Sequence, residues 1–407
     1  MRICLLSYRG NPYSGGQGIY IYYLSRELQS LGHEVHILSG PPYPDVVDGV
    51  TIHKLESLNL YESQHLWRDF LRIRTPLRFY EFLAVAVGTF PEPFTFSIRA
   101  YNRLRALMPR YKFDIVHDNQ CLAYGLLLMK RLGIPMVATI HHPIPIDKEI
   151  DLSMARNPWD RFRLKRWYSF LGMQHHVSPR LDRVITVSKS SAADIQRYFK
   201  VPERLLRVVY NGVDTDFFNC DGNTPKRPHS LIMVSSGQSN IKGLPYMLRA
   251  LHMLKNEVDV KLTVVGSAAP DSQPVKLIKE YGLERMVNFT GGIEREELAR
   301  LYTASEIAVS PSLYEGFGLP AAEAMSSGLP VIAARAGALP EVVGEDGKTG
   351  ILVPPAEPGA LAAAIKRLIN DEPLRKRLGE AGRKRMQQNF SWRKAAKRTV
   401  EVYQELM

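Results

Sequence analysis

Short apolar runs recur along this chain, each separated from the next by a longer stretch with helical spacing. Residues 3–6, 35–38, 114–116, 135–140, 184–187 and 206–210 form a first series, and 231–234, 262–265, 287–289, 307–309, 331–333 and 351–353 a second. A short run that is apolar throughout predicts a strand buried on both faces. Strands that alternate with helices predict a parallel sheet covered on both sides. The series pauses once, near residues 216–229, where NCDGNTPKRPH has the polar, turn-rich composition of a linker. With 407 residues the chain is long enough for two cores. The reading is α/β, with two doubly wound domains at 1–215 and 225–390 and a terminal helix at 391–407.

Composition narrows the function. Apolar residues make up 45% and charged residues 23%, and no uninterrupted apolar run approaches the length of a spanning helix. The apolar start MRICLLSY is too short for a signal peptide. Cys4, Cys121 and Cys220 are far apart and odd in number, which predicts neither a disulfide framework nor a zinc site and fits a reducing cytoplasm. The net charge of +12 calls for an anionic partner. Nucleoside diphosphates and acidic lipid surfaces qualify; nucleic acid is set aside because no reading motif accompanies the charge.

The chemistry concentrates between residues 307 and 330, IAVSPSLYEGFGLPAAEAMSSGLP. The order is strand, glycine loop, proline, helix. Such a loop turns backbone N–H groups and the positive end of a helix toward whatever lies above it, which suits a phosphate. Pro320 fits the first helical turn, and Gly328 with Pro330 ends the helix. Glu323, read as lying in the helix's first turn, would be held ionised by the dipole and would accept hydrogen bonds from a vicinal diol such as that of ribose.

Glu315 and Glu323, with Gly316, Phe317, Gly318 and Leu319 between them, resemble the E-x7-E signature of the retaining glycosyltransferases of family 4. The glycine loop at 15–18, GHEV at 32–35, Thr139-Ile140-His141, Asn211-Gly212-Val213-Asp214, Lys242-Gly243 and Gly350-Ile351-Leu352-Val353-Pro354 fall in that family's order. The resemblance implies a GT-B fold, two Rossmann-like domains facing across a cleft, the first for the acceptor and the second for a nucleotide-sugar donor. It also implies that the terminal helix returns to the first domain. Carried over residue by residue, Glu323 holds ribose, Glu315 holds the transferred sugar, and residues 316–319 give backbone contacts. Gly292 and Ile293 approach the nucleobase, Lys242 meets the diphosphate, Gly15 and Gly16 face the phosphates and the acceptor, and His141 approaches the sugar. Family members carry an arginine shortly before the lysine, where this chain has Ser236 and Gly237.

Several features have plainer readings. Gly15 and Gly16 follow the first strand, where open α/β sheets contact ligands, but do not fit a dinucleotide fingerprint. His142 and the pair His175-His176 do not predict a metal site, because neighbours on an extended segment point opposite ways. The carboxylates of Asp214-Thr215-Asp216 follow a turn and are likewise set aside, so no metal is expected. Ser188 reads as a helix cap and Asn211-Gly212 as a turn; Asp118-Asn119, at a strand end, is an acceptor-contact candidate. Two basic and aromatic stretches, residues 67–82 and 159–168, suit the interface of an anionic bilayer or a solvated helix face.

The function expected is metal-independent, retaining transfer of a hexosyl unit from a UDP- or GDP-sugar to a hydroxyl acceptor, a glycan or glycolipid precursor, with no further cofactor. The protein would be cytoplasmic, peripheral on the membrane's inner face. A nucleotide-sugar epimerase or phosphorylase on a similar scaffold is the alternative enzyme; a basic surface-binding protein with a degenerate site is the non-enzymatic one.

Overall fold

The computed structural model describes residues 1–11, 16–60, 70–155, 157–219, 224–235 and 240–407. It divides into two compact units, Met1–Tyr210 with Arg393–Met407, and Asn211–Trp392.

In the first unit the strands are β1 (Arg2–Ser7), β2 (Glu34–Ser39), β3 (Val50–Lys54), β4 (Ile115–Asn119), β5 (Met136–Ile140), β6 (Arg183–Thr186) and β7 (Leu206–Val208). They form one parallel sheet in the order β3-β2-β1-β4-β5-β6-β7. The helices are α1 (Gly16–Ser30), α2 (Pro76–Ala86), α3 (Glu92–Leu107), α4 (Tyr124–Lys130), α5 (Pro145–Met154), α6 (Pro158–Trp167), α7 (Leu171–Val177) and α8 (Lys189–Phe199). Successive strand residues face opposite sides, so the sheet sends Cys4, Leu6, Val116, Ala138 and Ile140 into a core closed by Phe96, Leu126, Val177 and Ile195 of α3, α4, α7 and α8. α1 packs on the other face, its buried Tyr20, Tyr23, Leu24 and Leu28 recurring at helical spacing. Gly32, at φ +85°, lets the chain leave this helix for β2.

In the second unit β8 (Ser230–Val234), β9 (Lys261–Val265), β10 (Val287–Phe289), β11 (Ile307–Ser310), β12 (Val331–Ala334) and β13 (Ile351–Val353) form a parallel sheet in the order β10-β9-β8-β11-β12-β13. The helices are α9 (Leu244–Leu254), α10 (Gln273–Tyr281), α11 (Arg295–Ala304), α12 (Leu319–Ser326), α13 (Leu339–Val343), α14 (Pro358–Asn370) and α15 (Glu372–Asn389). The core runs from Leu231, Met233, Leu262 and Val309 to Leu248 of α9, Leu277 of α10 and Ile365 of α14. The last helix, α16 (Trp392–Gln404), belongs to the first unit from Arg393 onward. Glu405, just beyond it, accepts from Arg183 at 2.9 Å and Arg207 at 2.7 Å.

Both sheets are Rossmann-like, parallel and doubly wound. The apolar runs do not announce β3: it lies at the sheet edge and buries only Val50 fully, so VTIHK lacks the apolar continuity of its neighbours. Cys220 and residues 221–223 of the linker stretch lie outside the described residues, as do residues 67–69 of the first basic stretch; Cys4 and Cys121 are buried free thiols. Among the described residues no helix is long and apolar enough to cross a membrane. α5 and α6 bury no residue fully, and Trp159 on α6 is 65% exposed.

Candidate functional site

In the second unit β8 is followed by β9 on one side of the sheet and neighbours β11 on the other. The loops leaving the carboxyl ends of β8 and β11 therefore diverge, and an open parallel sheet has its ligand crevice at such a reversal. Lys242 comes from the first loop and Glu315 from the second. The Lys242 ammonium donates to Glu315 Oε1 at 2.7 Å, and the Ser312 hydroxyl donates to the same oxygen at 2.8 Å. The loops are stitched by backbone as well, Leu313 N–H to the Ile241 carbonyl at 2.7 Å. Gly243 is required here: its φ is +74°, and a Cβ would lie 2.0 Å from the Pro311 carbonyl oxygen. Behind the pair, Ala338 N–H donates to the Glu315 carbonyl at 2.9 Å.

The Glu315 loop passes into α12 through Gly318, at φ +94°, with Pro320 in the first turn and no side-chain cap. The N–H groups that begin this helix thus lack the usual side-chain acceptor. Phe317 turns its ring inward onto Phe390, centroids 5.7 Å apart, so only its main chain is available beside Gly316 and Leu319.

Glu323 departs from its sequence reading. α12 begins at Leu319 with no acidic residue in its first turn, so Glu323 belongs to the second. The carboxyl group is buried, and among the described residues no side chain or N–H donates to it. Burial pushes its pKa up to about 8, against the opposing charge of Arg295. The helix dipole does not hold it ionised; it is a neutral carboxyl group below that pH. Gly292 and Ile293 lie in the loop after β10 at the same carboxyl edge, beside Gly291, whose N–H meets the Gly266 carbonyl at 3.1 Å. A Cβ at Gly292 would meet nothing, so this backbone is open. Ser236 and Gly237 lie outside the described residues.

The first unit has its own reversal, between β1 and β4. Gly15 lies outside the described residues, and Gly16 begins α1, exposed. The close approach is at Gly18, where a Cβ would lie 1.8 Å from the Asn11 carbonyl oxygen. Beyond β4, the Asn119 amide donates to the Gln17 carbonyl at 3.1 Å, and its oxygen meets His141 Nε2 at 2.6 Å. With the amide nitrogen committed to a carbonyl, the oxygen must accept, which assigns the proton to Nε2 and the lone pair to Nδ1 of His141. Burial lowers this histidine to about 3, so it is neutral. Gln120, at φ +59°, accepts from His141 N–H at 2.6 Å and donates to the His142 carbonyl at 2.6 Å. A left-handed non-glycine residue at a ligand edge marks a conformation that its surroundings enforce.

The polar partners Tyr20, His117, Asn119, Gln120 and Ser312 are the residues that reading apolar runs passes over or undervalues. A signal existed: His117 and Asn119 in β4, and Thr139 and His141 at β5, are polar at alternate positions of otherwise apolar strands. Asp118 lies between, fully buried, raised by burial to about 7 and capping the loop through Leu122 N–H at 2.9 Å. His175 and His176 are helical, in α7, which removes the extended-segment argument; His175 Nδ1 bonds the Tyr198 carbonyl at 2.9 Å. Asp214 Oδ1 caps a turn through Phe217 N–H at 3.1 Å. Ser188 caps α8. Among the described residues no three His, Cys, Asp or Glu side chains gather as a metal-sized group.

The raised Glu323 pKa fixes a sign. Between the usual carboxyl value and about 8 the folded protein retains a proton that the unfolded chain has lost, so stability falls as pH rises through that window. Glu323→Gln removes this dependence. Its melting temperature is expected to match wild type at pH 4 and to exceed it by several degrees at pH 8.5. A melting temperature below wild type at pH 8.5 would show an ionised, stabilised carboxylate instead.

The glycosyltransferase family 4 model matches residues 14–217, and the model for glycosyl transferases group 1 matches residues 216–385. The MMP α-(1→4)-mannosyltransferase of Mycolicibacterium hassiacum is 44% identical over 100% of this chain and 98% of its own length. The D-inositol 3-phosphate glycosyltransferase of Streptomyces bingchenggensis is 29% identical over 100% and 90%. Among solved structures, sucrose-phosphate synthase from Thermosynechococcus elongatus superposes with a TM-score of 0.74 at 24% identity, covering 100% of this chain and 99% of that one. Anabaena HepE in complex with UDP and glucose superposes with a TM-score of 0.70 at 19% identity, covering 100% and 98%. With two matched models that together span both units, and a full-length relative at this identity, the chain belongs to the family 4 and group 1 glycosyltransferases and has the GT-B fold.

Proposed function

We propose that this glycosyltransferase moves a hexosyl unit, mannosyl in the first instance, from a UDP- or GDP-sugar to a hydroxyl of a glycan or glycolipid acceptor, with retention and without a metal. The mannosyl and α-(1→4) assignment follows the name of the 44%-identical relative. The observation that carries the reading is the Lys242–Glu315 pair at the β8/β11 reversal, beside a helix without a side-chain cap and a buried carboxyl group to which no described residue donates.

Each part has a task. Lys242 and the N–H groups at the start of α12 receive the diphosphate and stabilise the negative charge it gains on leaving. Glu315, already held by Lys242 and Ser312, accepts from hydroxyls of the transferred sugar. The ribose diol supplies the hydrogen bonds that the Glu323 carboxyl group lacks. Gly292 and Ile293 offer open backbone to the base, and Gly316, Phe317, Gly318 and Leu319 offer main chain to sugar and phosphate. In the first unit His141, neutral with its Nδ1 lone pair available, accepts from a sugar or acceptor hydroxyl, and Gly15 and Gly16 are assigned to the phosphates and the acceptor. The acceptor hydroxyl attacks the face from which the diphosphate departs, and a phosphate oxygen takes its proton.

The test is a panel of UDP-, GDP- and ADP-sugars, mannose and glucose included, assayed with mannoside acceptors, with product configuration read by NMR. One donor is expected to be turned over to an α-linked product. Lys242→Ala is expected to lower kcat by roughly 100-fold or more. Release of free sugar without an acceptor, or dependence on inorganic phosphate, would favour the epimerase or phosphorylase; full turnover by Lys242→Ala would remove the mechanism.

The reaction is cytoplasmic on this reading, and an anionic membrane is the second partner. Phe70, Leu71, Phe79, Tyr80 and Leu83 in and before α2 are exposed large apolar residues, as are Trp159 and Phe162 on α6, stacked at 5.5 Å. Phe90, in the segment between α2 and α3, packs on Trp167 at the end of α6, centroids 5.1 Å apart. Arg72, Arg74, Arg161, Arg163 and Lys165 lie in the same segments, the pattern of an interfacial surface. Co-sedimentation with vesicles containing phosphatidylglycerol is expected to exceed that with neutral vesicles, and to fall in Trp159→Ser/Phe162→Ser. Equal pelleting with both vesicle types would contradict it.

A further inference from the structure

A buried chain of hydrogen bonds crosses the face of the first sheet beneath His141. The Tyr403 hydroxyl, on α16, meets His117 Nδ1 at 2.5 Å; His117 Nε2 meets the Thr139 hydroxyl at 2.7 Å; and Thr139 meets the Tyr20 hydroxyl, on α1, at 2.9 Å. The four residues come from four elements, and all are buried. The Tyr20 ring then stands edge-on to His141, centroids 4.5 Å apart at 73°.

The chain has one direction. Tyr403 is fully buried, and among the described residues its hydroxyl has no hydrogen-bond partner other than His117, so it must donate to Nδ1. His117, held neutral by burial, donates from one nitrogen only, and that nitrogen is then Nε2. Thr139 accepts there and donates to Tyr20. The order fixes the tautomer of His117 and the position of the Tyr20 ring, while Asn119 fixes His141 from the other side. Among the described residues the Tyr403 hydroxyl bonds His117 alone, and Glu405 separately ties the end of the chain to Arg183 and Arg207.

We propose that Tyr403 is a positioning residue for the acceptor-side site, acting through His117, Thr139 and Tyr20 on the placement of His141. The C-terminal helix thus contributes to catalysis by a single hydroxyl as well as by packing. This rests on the role given to His141 above.

Tyr403→Phe removes one oxygen and leaves His117 Nδ1 buried without its donor. It is expected to lower kcat by roughly 10-fold to 100-fold, as a small misplacement of a reacting group does, with the dissociation constant for the nucleoside diphosphate unchanged. The discriminating measurement is a double-mutant cycle. In the His141→Ala background, Tyr403→Phe is expected to cause no further fall in kcat. Thr139→Val, of the same shape and suited to a strand, is expected to show the same non-additivity. The 15N shifts of His117 are expected to report Nε2–H in the wild type and to change in Tyr403→Phe. Equal losses of kcat in both backgrounds, or a lowered melting temperature with kcat intact, would make the chain merely structural. Full activity in His141→Ala would instead remove the role of His141, and the inference with it.

Discussion

In a parallel sheet every connection from a strand's carboxyl end emerges on one edge, and where the strand order reverses, two neighbouring loops must part. That constraint acts once in each sheet of this protein, between β8 and β11 and between β1 and β4. Both groups of functional candidates sit at these reversals. Lys242 and Glu315 meet at one, and Gln17, Asn119 and His141 meet at the other. The winding of the sheets brings the loops to one edge, and residues such as Gly243 and Gln120 then set their local shape.

The two reversals are built on different electrostatic principles. The reversal in the second unit is charged: an ion pair, N–H groups without a side-chain cap, and an acid whose ionisation burial has made costly. Such a site is poised for a ligand that brings hydroxyls and negative charge, and it buries the Glu323 carboxyl group at some expense in stability. The reversal in the first unit is neutral. His117 and His141 are both driven to low pKa by burial, and their protons are placed by amides and hydroxyls. Neutral imidazoles suit hydroxyl recognition, since each can accept from one nitrogen while the other is anchored.

Much of this was legible in the chain. The apolar runs marked nearly every strand, because central strands of parallel sheets are buried on both faces and are mainly apolar, β4 departing from this with His117, Asp118 and Asn119. The Glu315–Glu323 segment was readable because its glycines and proline each answer a backbone need that other residues cannot meet, as Gly318 at φ +94° shows. Less legible was anything set by packing. The charge state of Glu323 depends on how deeply α12 is buried, which no local pattern records. His117 and Tyr403 are far apart in the sequence, so their bond follows only from the fold. β3 was missed for the opposite reason, its edge position letting polar residues into the strand.

On the proposed function, the buried Glu323 carboxyl group receives the vicinal diol of a nucleotide. Calorimetric titration of the preferred nucleoside diphosphate against its 2′,3′-dideoxy analogue tests this most directly. Losing both hydroxyls is expected to weaken binding by roughly 100-fold or more in the wild type, since a buried polar group is then left unpaired, and by far less in Glu323→Ala. Equal affinities of the wild type for both nucleotides would contradict it.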